Sequence, residues 1–426
     1  MSRCILWFVM LGLVTSFYND LLHANGLRVL GVKSTKATAM GEAFIAQADD
    51  PSAIAFNPAG LTQLDGIQAS TGVTITNGWP EHKSPSGAKE EMLDEWQYIP
   101  NCFVTSDLNT ENLVIGIGIT VPNGLASEWS DTGFARYVDT YSDLTVIDVN
   151  PSLGWEVVKD LSIGFGVSIY YSQVTLESMI DYETSMGLSG ALDGKRGLKG
   201  DGYAFGYNLG ILYSINDHHN FAAAFKSPFK LEYEGDFELT NIPDSIGIGP
   251  SYKTSGETSF DFPATVVIGY AYRPVEELKL EFNIDWTNWE TLDSVVIKID
   301  SPVPPLLPDR ITQEYGYENT FAYKFGLEYK VNEYICLRAG YIYNENAVPD
   351  ENWRPNLPDT DMQFLTSGLG FRKGNLSIDG ALQLIFYEDR TINNNVDYNE
   401  ISSSSSIDGE YENFAVGYSV SVTYGF

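Results

Sequence analysis

Beyond its first two dozen residues the chain has no apolar run long enough to cross a bilayer as a helix, which takes ~20 consecutive apolar residues. A membrane location therefore has to be built from strands, and a closed barrel is the strand arrangement that pairs every backbone donor and acceptor in lipid. Cysteine is nearly missing. Of 3 in the chain, Cys4 falls in the leader, leaving Cys102 and Cys336. Both sit in strand-like runs without metal-ligand spacing, so isolated thiols are the first reading and one disulfide between them stays open. Histidine is as scarce: His23 lies in the leader, His218 and His219 share a tight turn, and His82 stands alone. With no Ser/His/Asp set in view, a barrel hydrolase has little to stand on. No pattern calls for a metal or a cofactor. Basic residues are outnumbered 57 to 25, a net charge of −32, and losing the leader removes Arg3 and Asp20, one of each sign. Such acidity excludes nucleic acid as a partner. It fits a solvated soluble surface, or carboxylates spread over external loops and a lumen, where divalent cations would bridge them to lipopolysaccharide phosphates.

What is present starts with an address. Arg3, the apolar run Ile5 to Val14 and a polar stretch ending at Leu22-His23-Ala24 form a secretory leader, with cleavage expected after Ala24. Period-two alternation then dominates. Leu278, Leu280, Phe282, Ile284 and Trp286 alternate with Lys279, Glu281, Asn283, Asp285 and Thr287, which gives one apolar and one polar face. Leu376 to Phe386 and Phe414 to Phe426 follow the same rule. A soluble sandwich also alternates, but here the second face is Gly, Ser, Thr, Asn and charges. The 26 Tyr and 8 Trp gather near strand ends, as aromatic girdles do at bilayer interfaces.

Connections alternate in length. Tight ones fall near Asp107 to Thr110, Lys159-Asp160, Asn216 to His219, Pro274 to Glu277, Val331-Asn332 and Lys373 to Asn375. Long polar ones fall near 78 to 93, 123 to 141, 177 to 200, 237 to 255, 291 to 318, 346 to 360 and 391 to 410. Together they join fourteen strands, an even count with short periplasmic turns and long external loops. The fold expected is all-β: a transmembrane antiparallel β-barrel in the outer membrane of a Gram-negative bacterium. The run Ser402 to Ser406 reads as a loop tip, and the terminal Tyr424-Gly425-Phe426 resembles the aromatic signal read by the barrel-assembly machinery.

Ahead of the first strand lies Ala48-Asp49-Asp50-Pro51-Ser52-Ala53-Ile54-Ala55-Phe56-Asn57-Pro58-Ala59-Gly60-Leu61, a small-residue segment with a turn dipeptide at Asn57-Pro58. It resembles the hatch of the FadL-type outer-membrane transporters of long-chain fatty acids and other hydrophobic compounds, with Asn57, Pro58 and Ala59 matching that family's signature triplet. Further blocks resemble the family in the expected order: Gly124 to Trp129, Arg136-Tyr137, Val149 to Leu153, Trp286 to Trp289 and Leu357 to Asp361.

The resemblance implies a leader over 1–24, a hatch inside the lumen over 25–63 and a fourteen-stranded barrel over 64–426. It implies passive uptake, without catalysis, of fatty acids or related hydrocarbons: capture in a groove between external loops, passage to a lumenal pocket, hatch rearrangement, and lateral exit at a kink in the third strand. The groove loops would be those after the fifth strand, with Leu176, Met179, Ile180, Met186, Leu188 and Leu192, and after the seventh, with Phe237, Leu239, Ile242, Ile246 and Ile248. An exposed apolar patch marks a binding surface, and two such loops packed on each other as a lid read the same way. Gly116, Gly118 and Pro122 are the candidates for the opening, since glycine marks bulges and proline cannot donate to a ladder; glycines on a lumen face also make room for a plug. Arg136, Lys324 and Arg338 are the candidate partners of a ligand carboxylate, while the acid at Glu318, where a base is expected, leaves neutral hydrocarbons open. The rival readings are a general porin-like channel and an outer-membrane barrel enzyme.

Overall fold

The structure is a computed structural model and describes residues 27–93, 96–304, 306–394, 396 and 407–426. The leader with its cleavage site and the Ser402 to Ser406 run lie outside the described residues. Among those described, the chain forms one closed antiparallel barrel of fourteen membrane strands around its own N-terminal segment.

The strands are β1 (Ile67–Gly78), β2 (Gln97–Ser106), β3 (Leu113–Glu128), β4 (Tyr141–Val158), β5 (Leu161–Ile180) and β6 (Gly194–Asn216). Four interrupted strands follow: β7 (His219–Lys226 and Phe229–Thr240), β8 (Ser251–Phe262 and Thr265–Val275), β9 (Leu278–Thr287 and Ser294–Ile299) and β10 (Arg310–Glu314 and Thr320–Lys330). The last are β11 (Ile335–Asn344), β12 (Met362–Lys373), β13 (Leu376–Tyr387) and β14 (Phe414–Gly425). The breaks in β7 and β8 fall at Pro228 and Pro263, which have no amide N–H to give the ladder. Closure is made by β1 on β14, from Gln68↔Gly425 to Gly78↔Ala415. It closes the sheet on itself. The tight turns fall on the side opposite the long loops, at the six places the sequence spacing predicts. At the external ends tyrosines pair across strands, as Tyr171 and Tyr203 do with ring centroids 4.9 Å apart.

One element was not anticipated from the sequence. Four short strands, Glu81–Lys83, Lys89–Glu91, Arg390–Ile392 and Gly409–Glu412, form a second sheet over the outer mouth. His82 is stacked beneath it on Phe134 at 3.7 Å and beside Tyr411 at 4.8 Å. Trp129 donates from its indole to the Pro355 carbonyl at 3.1 Å. Strands of three or four residues carry too little periodicity to be read from sequence.

Candidate functional site

The lumen is filled by residues from Leu27 to Leu64, nearly all buried. Helix α1 (Thr35–Ala39) is started by Ser34, whose hydroxyl accepts from Ala37 N. Helix α2 (Ala53–Phe56) ends at Asn57, which itself caps the 3₁₀ turn Pro58–Gln63: its Oδ1 accepts from Ala59 N at 3.1 Å. Pro58 occupies the first helical position, where no donor is needed. The Asn57 amide also donates to Ile45 O at 2.8 Å and to Ile211 O of β6 at 3.1 Å, so one fully buried side chain ties two hatch turns to the wall.

The wall grips the plug by its backbone. Glu281 of β9 accepts from Ala46 N and Gln47 N, both at 2.8 Å. Thr366 of β12 accepts from Gly41 N and donates to Ala39 O. Asn208 and Gln383 donate to Ile54 O and Gly31 O. Lumenal glycines allow the approach: a Cβ on Gly340 would overlap Gly41 N, and one on Gly164 would overlap Ala59 N. Toward the periplasmic turns the plug is also held by charge. Asp49 lies 2.6 Å from Lys36 and 2.7 Å from Lys279, and Arg338 joins Glu328 and Asp379 at 2.7 and 2.6 Å.

One irregular seam of the wall lies between β2 and β3. The β2–β3 ladder runs from Ser106↔Ile115 only to Cys102↔Ile119. Above it β3 slips register against β4 between Thr120 and Asn123, and Val121-Pro122 bulge inward. The bent stretch pairs instead with the start of the described hatch: Val29 N donates to Pro122 O at 3.1 Å and Gly124 N to Leu27 O at 3.0 Å, on either side of the Arg28↔Asn123 bridge. Val29, Val32, Ile99 and Val121 close the place with apolar contacts. Of the three opening candidates only Pro122 lies in the irregular stretch. Gly116 and Gly118 keep regular pairing and face Ile54 of the hatch, so close approach accounts for them.

Behind the seam is a cavity of 80 Å³ shared by hatch and wall. Its apolar side is an aromatic stack, Tyr170 on Phe229 at 3.8 Å and Phe229 on Phe262 at 4.6 Å, with Ile45 and Phe56 of the hatch opposite. Pro122 and Asn123 form part of its wall. Its polar side holds Arg28, Lys33, Lys226 and Lys324 with Glu42 and Asp285. Lys324 donates to Asp285 Oδ2 at 2.7 Å and to Glu42 Oε2 at 3.1 Å. Arg28 donates to the same Asp285 oxygen at 2.7 Å, and Lys226 to Asp148 at 3.1 Å. Four basic side chains thus face three carboxylates. A larger concavity of 1290 Å³ lies on the outer face of β4 to β8. Its lining is mixed, with Asp201, Glu234, Asp236, Glu257 and Asp300 beside Ile119, Ile147 and Val149.

The other predicted residues spread over three levels. Lys324 lines the lumenal pocket; Arg338 belongs to the periplasmic-side ion cluster; Arg136 sits outside, 3.3 Å from Asp193. Sequence reasoning missed Arg28, Lys33 and Lys226. The available signal was a base in a small-residue plug for the first two, and a base ending the run Phe221 to Phe225 for the third. Leu176 and Ile180, Phe237 and Leu239, and Ile242, Ile246 and Ile248 share one apolar cluster, but only the last three are loop residues, because β5 and β7 run on through Ile180 and Thr240. Met179 is buried apart from it, Met186 and Leu188 are half-buried, and Leu192 stands exposed at 84%. The outer part of β9, not anticipated, contributes Ile297 and Ile299, and the loop after it Leu307; the alternation Val295, Ile297, Ile299 was the signal. Cys102 and Cys336 are free thiols on strands that are not neighbours.

A closed fourteen-stranded barrel, plugged from its own N-terminus and holding a small amphipathic pocket, defines the class: a plugged outer-membrane channel. The chain belongs to the outer membrane protein transport protein family (OMPP1/FadL/TodX), whose model matches residues 22–426. It is 24% identical over 358 residues to the long-chain fatty acid transport protein of Escherichia coli, covering 76% of this chain and 78% of that one. Among solved structures it is similar to a Pseudomonas aeruginosa FadL homologue, with a TM-score of 0.80, 20% identity and coverage of 94% and 100%. It is also similar to the Pseudomonas putida toluene transporter TodX, with a TM-score of 0.72, 17% identity and coverage of 92% and 97%. The protein is thus a Gram-negative outer-membrane transporter of hydrophobic compounds, in a family of channels rather than enzymes.

Proposed function

We propose that an apolar compound is captured by the external loop cluster, settles in the lumenal pocket and leaves sideways through the β2–β3 seam into the outer membrane. The observation that carries this reading is that Pro122 and Asn123 belong at once to the pocket wall and to the inward bend of β3. A ligand in the pocket therefore touches the strand that would have to yield. The alternative route, straight down, is blocked by Asp49, Lys36, Lys279 and the Glu281 grip. Transfer is downhill for oily cargo: burying it is worth ~0.8 kcal/mol per methylene, and neither ATP nor ion flow is required. On this reading the mature chain begins after Ala24, the hatch ends near residue 63, and Asn57 holds the hatch turns that ligand arrival rearranges. The substrates proposed are long-chain fatty acids or related hydrocarbons, in line with what the relatives' names record for those proteins.

The test is uptake of labelled oleate, alkane and toluene by cells lacking their own transporter. Deleting Pro122 removes the extra residue of the bulge and lets β3 keep register with β4. Uptake is expected to drop to the level of empty cells while purified protein still binds ligand. Undiminished uptake in this variant would count against the lateral route, and wild-type uptake equal to that of empty cells for all three compounds would count against these substrates. A steady, large conductance in planar bilayers would favour a porin instead.

A further inference from the structure

A second stretch of the wall lacks its ladder, and it too borders the lumenal pocket. Strands β6 and β7 pair from Lys195↔Thr240 to Asp201↔Glu234 toward the outer mouth, and from Asn208↔Lys226 to Asn216↔His219 below. Between these runs no ladder pair among the described residues joins 202–206 of β6 to 228–233 of β7. Each strand keeps its other neighbour, since 202–206 pair with β5 and 229–233 with β8. Pro228 has no amide hydrogen to give, and the lower run ends where Ser227 N donates to Tyr207 O and Tyr207 N to the Ser227 hydroxyl, both at 2.9 Å. On the outer side Phe205 and Tyr203 are 72% and 66% exposed, more than any other large apolar side chain of a membrane strand among the described residues. Below them Tyr207, Leu209, Ile211, Tyr213 and Ile215 continue the lipid-facing row, and above them stand Lys199 and Asp201. The gap therefore lies at the top of the apolar band, in the outer leaflet. On the lumenal side β6 offers only Gly202, Ala204 and Gly206, and side chains from the two flanking strands meet over them. Tyr170 of β5 stacks on Phe229 of β7 at 3.8 Å, its ring so near Gly206 that a Cβ there would come within 3.0 Å. Higher up, the hydroxyls of Ser172 of β5 and Tyr233 of β7 share a hydrogen bond at 2.7 Å. Backbone frames the gap and side chains fill it, and a side chain changes rotamer far faster than strands part.

We propose that this gap is a second side passage, by which neutral apolar compounds already dissolved in the outer leaflet enter the lumenal pocket, with the Tyr170–Phe229 pair as its shutter. The inference rests on the lumenal pocket being the ligand site of the reading above, and it adds an entrance from lipid to the entrance from water. Tyr170 and Phe229 belong to the shutter and to the pocket lining alike, so a molecule that parts the two rings is already inside. It also gives each ring an apolar neighbour in place of the other, and little contact is lost. The class admitted is neutral because a carboxylate would have to shed its water to pass Ala204 and Leu231, both buried. A molecule that leaves by the same gap returns to the leaflet it came from. The passage therefore loads the pocket, and net uptake still needs the β2–β3 seam.

The experiment is thiol labelling of the purified full-length barrel in phospholipid vesicles. Cys102→Ser and Cys336→Ser remove the native thiols, and Phe56→Cys, on a hatch residue that lines the pocket, is the reporter. The probe is N-phenylmaleimide dissolved beforehand in the lipid, with glutathione outside to destroy what escapes into water. Pro122 is deleted to shut the seam, and labelling from lipid is expected to continue. Tyr170→Ala is expected to speed it about three- to tenfold, the effect of losing one aromatic pair. Gly206→Val, which presses a branched side chain on the Tyr170 ring, is expected to slow it about tenfold; if heat-modifiable gel migration shows that variant unfolded, Tyr170→Ala decides. A sulfonated maleimide confined to water is expected to show no acceleration in Tyr170→Ala. Labelling from lipid that stops once Pro122 is deleted, that ignores Tyr170→Ala, or that speeds up equally for the water-confined reagent overturns the proposal and leaves the transport reading intact. Failure of N-phenylmaleimide to reach the reporter in the barrel that keeps Pro122, from lipid and from water alike, overturns the transport reading with it.

Discussion

Replacing Asn57 by alanine deletes three hydrogen bonds at one fully buried position: to Ile45 O at 2.8 Å, to Ile211 O at 3.1 Å, and from Ala59 N at 3.1 Å. The last of these caps the turn Pro58–Gln63, and loss of an Asn cap costs ~1 kcal/mol. The other two cost ~0.5–1.5 kcal/mol each, with Ile45 O left in a site no water reaches freely. The sum, about 2–4 kcal/mol, falls on the seating of the hatch, because Ile211 keeps its place in the β5–β6 ladder. At 1.4 kcal/mol per factor of ten, the unseated hatch gains roughly 30-fold to several hundredfold in population. Amide hydrogen exchange of the folded protein in detergent measures this directly. Protection at Ala46, Asn57 and Ala59 to Leu61 should fall by that factor, while protection in β5, β6 and β12 stays at the wild-type level. The reasoning is refuted if hatch and wall lose protection together, which would make Asn57 a fold residue, or if neither changes.

Two further outcomes follow from the geometry. Gly340→Ala puts a methyl against the hatch backbone at Gly41, where nothing flexible can give way, so overpacking of ~1–3 kcal/mol should again loosen the hatch; heat-modifiable migration should be unaltered, and unchanged hatch exchange would mean that the contact has slack. Asp139, in the external loop between β3 and β4, is held by the Ser127 and Ser142 hydroxyls, and burial pushes its carboxyl up to about 7 from an ordinary 3.8. Between these two values the packed loop keeps a proton that the open loop has lost, so loop stability is greatest at low pH and declines as pH rises toward 7. Exchange over residues 129–142, corrected for intrinsic rate, should rise by up to about tenfold per pH unit in that window and level off above it. Asp139→Asn should be flat, and a variant that still tracks pH would assign the effect to another group.

The barrel was legible because its determinants are local. Alternation at Leu278 to Trp286 puts Leu280 outward and Glu281 inward whatever the rest of the chain does, and the turns at Lys159-Asp160 and Lys373 to Asn375 are marked by their own residues. The triplet Asn57-Pro58-Ala59 was legible for the same reason, since cap, proline at the first helical position and turn lie within three residues. The pocket was not legible. Arg28 and Asp285 are 257 positions apart, and nothing along the chain says that a plug residue and a β9 residue share a cavity. Gly116 and Gly118 misled in an instructive way: a glycine in a strand signals either a bend in its own backbone or a neighbour pressing on it, and here Ile54 of the hatch is the neighbour.

The charged floor and the apolar seam divide the hatch into parts that cost different amounts to move. Below, drawing the hatch away from the wall would part Asp49 from Lys279, a partly exposed pair, while the Asp49–Lys36 pair lies within the hatch and moves with it, and Glu281 would lose two backbone donors as well. Above, freeing residues 27–29 from β3 breaks two backbone hydrogen bonds, ~0.5–1.5 kcal/mol each, and parts a four-residue contact of Val29, Val32, Ile99 and Val121. That contact is the surface an acyl chain would replace with its own, so much of its loss is returned as the cargo arrives. A carboxylate drawn to Arg28 would act on the same short segment, since Arg28 is the middle residue of the stretch that stitches the seam. The stitch at residues 27–29 is therefore the part of the hatch held to the wall by the fewest of the contacts described. A sideways route would give up two backbone hydrogen bonds, which an oily ligand does not return, and one apolar contact, which it does.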